Sequence, residues 1–395
     1  MRTLSLAARY IVYRPGLAFL QSLLLAFGVV LAVLLLQTQH AVENRLGRDG
    51  GSVDLVVGAK GSGMQLLLSS LYHVDAPTGN IPFTAVATLA QNPLVQTTVP
   101  VALGDSVAGY RIVGTTPGYL DFYDVTTRTG RLFAQPFEAL LGAQVALNLG
   151  LGLADTFVGT HGLVAGGEAH ASHPYTVVGI LPPTGTVIDR LVFTPVESVW
   201  DAHADHGHTH AAAPDTRAIT AVLVGYRSPV ATLRLPRDIN SQTDWQAASP
   251  ALEGARLLSL FGVGLSSLQV LAGVLIVLAL VANFIGLMTL LQERLYDLAL
   301  LRSLGATRRK VFGLVLAIGA LLAVDGALMG WVLGHGLLWG LSHTVFGQEL
   351  GLVAFMPLNA EFCLILLAPV AGMVAALWPA LRAYRLSVAD VLSQR

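Results

Sequence analysis

Apolar and polar positions divide this chain into two kinds of sequence. In the last third, no residue from Leu257 to Gln292 is charged, and from Val311 to Gln348 the one acid or base, histidine aside, is Asp325. About 20 apolar residues cross the hydrocarbon core of a bilayer, so runs of this length read as membrane spans. Four are placed: Leu17–Leu36, one within Val263–Leu291, one from Val311 to about Leu338, and Phe362–Leu381. The first exceeds the roughly 7–15 residues of a signal-peptide core and is followed by no small-x-small cleavage site, so it is expected to stay as an anchor.

Between the first two spans the pattern changes. Ser52–Gly58, Gly109–Gly114, Tyr175–Leu181 and Ile219–Val224 have the short apolar alternation of strands. Met64–Tyr72, Ala143–Leu149 and Pro195–Ala202 read as helices, and Thr116-Pro-Gly118 and Pro182-Pro-Thr-Gly185 as turns. The expected fold class is an α-helical membrane protein with four transmembrane helices and a large α+β extracytoplasmic domain between spans one and two. The division is 1–39 (N-terminus and first span), 40–256 (outside domain) and 257–395 (spans two to four, with a surface loop at 292–310).

Basic residues orient this layout, because Lys and Arg are enriched in cytoplasmic loops. Arg2, Arg9 and Arg14 put the N-terminus inside; Arg294, Arg302, Arg308, Arg309 and Lys310 do the same for 292–310; Arg382, Arg385 and Arg395 for the C-terminus. The three clusters agree, as four spans require. The loop Gly340–Glu361 is then outside.

Composition supports a membrane protein: charged residues are 12% of the chain, against a soluble norm of about 25%, and mean hydropathy is +0.64. A net charge of -1, without a basic stretch interleaved with aromatics, gives no reason to expect nucleic acid. The single cysteine, Cys363, allows no internal disulfide and is expected to be a buried apolar filler.

Several stretches carry a family resemblance. Glu293–Lys310 followed by Val311-Phe-Gly-Leu-Val-Leu316 resembles the "ERxxEIALLRALGATRRxVxxLxL" run of the MacB/FtsX superfamily of ABC-transporter permeases, and Pro379–Leu392 resembles its "PAxRAARLxPxEALR" ending. Thr116–Tyr123, Thr129–Phe133, His173–Leu181 and Val192–Val196 match its outside domain more loosely. The chain departs from many relatives at Ile318, where they carry a Glu, and in its histidine-rich outside region.

The resemblance implies a permease of the bacterial inner membrane, working as a homodimer with two copies of a cytoplasmic ABC ATPase that binds the ATP. A periplasmic binding protein is a further candidate partner. The chain has no Gly-x-x-x-x-Gly-Lys-[Ser/Thr] loop of its own; Gly58–Gly63 is glycine-rich with a misplaced lysine. No nucleophile constellation is visible, so the chain is not expected to be an enzyme. Three roles fit such a permease: metal homeostasis or export, regulation of cell-wall hydrolases in the manner of FtsX, and lipoprotein release.

The segment 292–310 is the candidate coupling element. Leu295, Leu298, Leu301 and Leu304 recur at helical spacing, Arg294, Asp297 and Arg302 can point elsewhere, and Gly305 is placed to end the helix. The expectation is that the leucine stripe docks in a groove of the ATPase; the alternative is a helix lying on lipid.

Histidine is the second signal. His203, His206, His208 and His210 lie with Asp201 and Asp205 in one ten-residue run, and His161, Glu168, His170 and His173 form a second cluster. Imidazole and carboxylate suit Zn²⁺ or another late divalent metal. The alternative is a solvated polar loop, which Ala211-Ala-Ala-Pro214 fits. No intrinsic cofactor is expected beyond such a metal. Asp325, within a span, is either hydrated near its outer end or paired at a subunit interface. His73 and Asp75 read as a capped turn, or as a further metal or recognition position. His335 and His343 are expected at the membrane interface.

Overall fold

The computed structural model describes residues 3–13, 15–162, 173–204, 217–344, 347 and 356–385. They fall into two compact units, one of Met1–Glu43 with Leu260–Arg395, the other of Asn44–Ser259. The helices are α1 (Thr3–Val12), α2 (Pro15–Asp49), α3 (Gly63–Ser70), α4 (Thr84–Ala90), α5 (Ala143–Leu149), α6 (Val196–Ala204), α7 (Ala231–Gln242), α8 (Pro250–Glu293), α9 (Leu295–Ser303), α10 (Arg308–Ser342) and α11 (Asn359–Tyr384). The strands are β1 (Leu55–Ala59), β2 (Ile81–Pro82), β3 (Val95–Val107), β4 (Tyr110–Thr115), β5 (Thr129–Gly130), β6 (Glu138–Leu141), β7 (Thr156–Phe157), β8 (Thr160–His161), β9 (Tyr175–Ile180), β10 (Leu191–Pro195), β11 (Ala218–Ile219), β12 (Ala221–Tyr226) and β13 (Trp245–Ala248).

In the Asn44–Ser259 unit the strands pair in the order β13-β1-β12-β3-β4-β10-β6-β9-β5. The β4–β10 and β6–β9 pairs are parallel and the other neighbours antiparallel. Period two sends alternate side chains to opposite faces. Val56, Leu223, Val101, Val113 and Phe193 share one core. Their neighbours go to the other face, where Leu55, Val57, Val222 and Val224 join α4 and α7 residues, and Ile112, Leu141, Val177 and Val192 join α5. Both faces are buried, which is why β1 and β12 read as nearly continuous apolar runs.

The predicted strand Ile219–Val224 is divided at Thr220. Its hydroxyl accepts from the Leu103 N–H at 3.0 Å, while its own N–H reaches the Val101 carbonyl at 2.8 Å. A side-chain oxygen takes over a ladder bond, and regular pairing resumes at Ala221. The helix expected from Pro195 starts one residue later, because Pro195 closes β10 opposite Thr115.

Among the described residues, four helices are long and apolar enough to cross a membrane: Ala18–Asp49, Ser266–Glu293, Arg308–Ser342 and Asn359–Tyr384. The expected spans lie within α2, α8, α10 and α11. Without a hydrophobic force between helices in lipid, close approach favours small residues. A Cβ on Gly319 of α10 would meet Ala376 Cβ of α11 at 2.6 Å and the Gly372 carbonyl at 2.7 Å, and one on Gly330 would meet the Ala26 carbonyl of α2 at 2.7 Å.

Glu361, assigned to the outside loop, is fully buried in the first turn of α11. His335, near the outer end of its span, is buried among the helices, its Nε2 3.4 Å from a Glu361 carboxylate oxygen. Cys363 is exposed rather than buried, on a face that α11 turns away from its neighbours in this chain. Asp325 is exposed on α10.

Candidate functional site

The segment between α8 and α10 is a short helix with defined ends. Arg294 leaves helical geometry at φ -108° and ψ 13°, which separates α9 from α8. Its guanidinium pairs with Asp297 at 2.7 Å and lies 5.9 Å from the ring centre of Tyr13. At the other end Gly305 has φ +97°, a left-handed position that glycine takes at little cost. The Ala306 N–H donates to the Leu301 carbonyl at 3.0 Å and the Gly305 N–H to the Arg302 carbonyl at 3.1 Å, a Schellman termination. Gly305 therefore ends the helix as its position suggests. Thr307 then caps α10, its hydroxyl accepting from the Lys310 N–H at 3.4 Å.

The leucine stripe behaves differently from the expectation. Leu298 is 4% exposed and joins Leu287, Leu291, Val311 and Leu314 in the chain's own core, with Leu295 and Leu301 packed against it. Leu298 is thus committed to the chain's own core, Leu295 and Leu301 are half-buried beside it, and Leu304 alone of the expected stripe is exposed. The face they leave outward carries Tyr296, Leu300 and Leu304, exposed by 45%, 44% and 79%. Steps of four residues align these three side chains in one row. Arg308, Arg309 and Lys310 are exposed beside it. Of this row, sequence periodicity singled out Leu304 but not Tyr296 or Leu300, because both faces of α9 are apolar.

The histidine-rich run lies mostly outside the described residues: Asp205, His206, His208 and His210 are not among them, nor are Glu168 and His170. Asp201 and His203 belong to α6 and His161 to β8. His173 stacks on Phe137 with ring centres 4.9 Å apart. Among the described residues no group of three His, Cys, Asp or Glu is placed to hold a metal.

His73 turns out to belong to a buried polar cluster with Tyr119 and Arg111, at whose edge Asp75 lies exposed. His73 has φ +56° and its Nε2 lies 3.1 Å from the Tyr119 hydroxyl. Arg111 from β4 donates through Nε to the His73 carbonyl at 3.0 Å and through Nη2 to the Asp75 carbonyl at 2.5 Å. The Asp75 carboxylate accepts from the Ala76 N–H at 2.7 Å, so the capped-turn reading describes it, but the turn is anchored by an arginine. Burial, with the nearby Arg111 and Arg190 charges, pushes the His73 imidazole down to about 3. Tyr123 stacks on Tyr119 and donates to the Asp49 carbonyl at 2.7 Å. This cluster is structural: it pins the segment after α3 to β4.

Known families match this architecture. Residues 22–239 match the MacB-like periplasmic core domain, and residues 269–388 the FtsX-like permease C-terminal domain. Among solved structures, the periplasmic region of MacB from Actinobacillus actinomycetemcomitans is similar at 15% identity, covering 53% of this chain and 94% of that one with a TM-score of 0.36. The extracellular domain of the noncanonic ABC-type transporter YknZ from Gram-positive bacteria is similar at 13% identity, covering 50% and 99% with a TM-score of 0.31. No curated protein matches the chain significantly. Four apolar helices and a MacB-like periplasmic core domain make this a multi-pass inner-membrane protein with a large periplasmic domain. The periplasmic-domain match alone spans more than half of the sequence, and the permease match follows it: the chain belongs to the MacB/FtsX family of ABC-transporter permeases, which work with a cytoplasmic ATPase partner.

Proposed function

We propose that this chain couples ATP hydrolysis by its cytoplasmic partner to movement of the periplasmic domain, and that α9 is the element the ATPase grips. The observation that carries this reading is the exposed row Tyr296, Leu300 and Leu304, on a helix whose opposite face is fixed to the spans by Leu298. An apolar row on a rigidly seated helix suits helix-in-groove docking, since a push on α9 reaches α8 and α10 directly. A helix merely lying on lipid needs no such seating. The test is co-purification and ATP turnover. Replacing Leu300 and Leu304 by Asp places charge in a desolvated groove, so the ATPase should be lost from the complex while the permease stays folded. Retention of the ATPase with full coupled turnover would assign α9 to the lipid surface.

A second reading concerns what the complex acts on. The histidine density from His161 to His210 favours a late divalent metal, Zn²⁺ first, as cargo or signal at the periplasmic domain. It ranks ahead of hydrolase regulation and lipoprotein release because the histidines are the departure from the family pattern that carries ligand chemistry. Calorimetry with Zn²⁺ on the full-length permease, beside the variant without His203, His206, His208 and His210, tests it.

A further inference from the structure

Independently of how α9 meets the ATPase, the membrane unit contains a buried polar site that the reading above does not use. Glu361 begins α11 and is fully buried. Gln37 of α2 donates through Nε2 to Glu361 Oε1 at 2.5 Å and to the Met356 carbonyl at 2.9 Å. Trp331 of α10 donates through Nε1 to Glu361 Oε2 at 3.0 Å. One turn further, His335 points Nε2 at the same Oε2 from 3.4 Å and has no other partner on that nitrogen among the described residues. These are the groups that face Glu361 from α2 and α10, and no Lys or Arg of the described residues pairs with it.

The imidazole geometry fixes where hydrogens must be. His335 Nδ1 lies 3.1 Å from the Trp331 carbonyl, which can only accept, so Nδ1 carries a hydrogen. If His335 were neutral and Glu361 ionised, the Nε2 lone pair would face a carboxylate lone pair in a site shut off from water. A proton between them removes the conflict, either on Nε2 or on Oε2. In both forms the pair is neutral overall, which a low-dielectric site strongly favours over a lone buried carboxylate.

We propose that His335 and Glu361 bind one proton between them, forming a proton-binding site near the non-cytoplasmic ends of α10 and α11 that ties α2, α10 and α11 together only while the proton is held. Losing it leaves an unpaired buried carboxylate, and the three helix ends then gain by separating and admitting water. The site makes packing of the spans sensitive to proton supply from the outer side.

The test is the half-life of the folded full-length permease, reconstituted in phosphatidylcholine nanodiscs, at one elevated temperature across a pH series. Glu361→Gln keeps the shape and removes the charge that needs a proton; its amide N–H can donate to Nε2, at the expense of the Trp331 Nε1 contact to the same atom. This variant should fold and show a flatter half-life profile than the wild type, which should shorten as pH rises. His335→Phe removes the proton's second ligand and should shorten the half-life about tenfold, a typical coupling for contacting groups. Adding Glu361→Gln to His335→Phe should restore most of that loss. Parallel pH profiles for the wild type and Glu361→Gln, or effects of the two substitutions that simply multiply, would overturn the shared proton and leave ordinary hydrogen bonding.

Discussion

Leu298 and Leu300 stand two positions apart on α9 and face opposite ways: Leu298 is buried in the core that holds Val311 and Leu314, while Leu300 lies 44% exposed. One short helix thus presents an anchoring face to its own spans and an exposed apolar face on its other side.

The two faces are expected to separate by mutation. Leu298→Ala removes a buried side chain from a packed site and should destabilise the membrane unit by about 2–5 kcal/mol. Leu300→Ala should leave stability within about 0.5 kcal/mol, as surface changes do. Thermal melting in detergent distinguishes them. Equal loss at both positions would show that the assignment of faces is wrong.

The membrane architecture was legible in the sequence because its signals are long: each expected span lies inside an observed helix. The periplasmic strands were legible where apolar runs are regular, as at Tyr175–Ile180, and less so where a side chain joins the ladder, as at Thr220. Which face of α9 is buried was not legible, since leucines occupy both sides and partner helices decide. The burial of Glu361 was equally hidden. A glutamate just before a long apolar run looks like a loop acid, and only the approach of Gln37, Trp331 and His335 from two other helices gives it a buried place. For the histidine run, periodicity supplies donors but no geometry.

The backbone contact between α10 and α11 gives a steric expectation. Gly319→Leu must displace Ala376 or the Gly372 carbonyl, both within 2.7 Å of the new Cβ. Overpacking of this kind costs about 1–3 kcal/mol when neighbours can shift, and backbone yields less than side chains. The variant should melt lower than the wild type, while Gly313→Leu, which meets nothing within 4 Å, should not. Matching melting points for the two variants would contradict the close crossing.

His73 sets an acid limit on the periplasmic domain. Its folded value, about 3, lies below the unfolded value of 6.5, so folding favours the neutral ring. The contribution is present above about pH 6.5 and is lost as pH falls toward 3, because the unfolded chain then binds the proton that the folded one refuses. The full shift corresponds to roughly 4–5 kcal/mol at about 1.4 kcal/mol per unit. His73→Asn keeps a residue that tolerates left-handed φ and cannot titrate. Melting of the periplasmic domain in the full-length protein should depend less on pH between 6 and 4 in this variant than in the wild type. An unchanged acid profile would place the acid-sensitive group elsewhere.

The metal reading makes the last prediction. Four imidazoles at His203, His206, His208 and His210, with Asp201 and Asp205, occupy one short run, and the periplasmic domain contains no cysteine to compete for a soft ion. Imidazole must be neutral to ligate, so Zn²⁺ affinity should fall below about pH 6, close to the unperturbed histidine value of about 6.5. Ordering a polar segment around the ion costs chain entropy, which limits affinity and makes a folding-essential site unexpected. Calorimetry with Zn²⁺ on the full-length permease, beside a variant with these four histidines changed to Ala, is the measurement. Binding should disappear in the variant with no change in melting temperature. Equal binding by both would move the metal to His161, Glu168, His170 and His173, and no binding by either would remove the reason for preferring metal as cargo or signal.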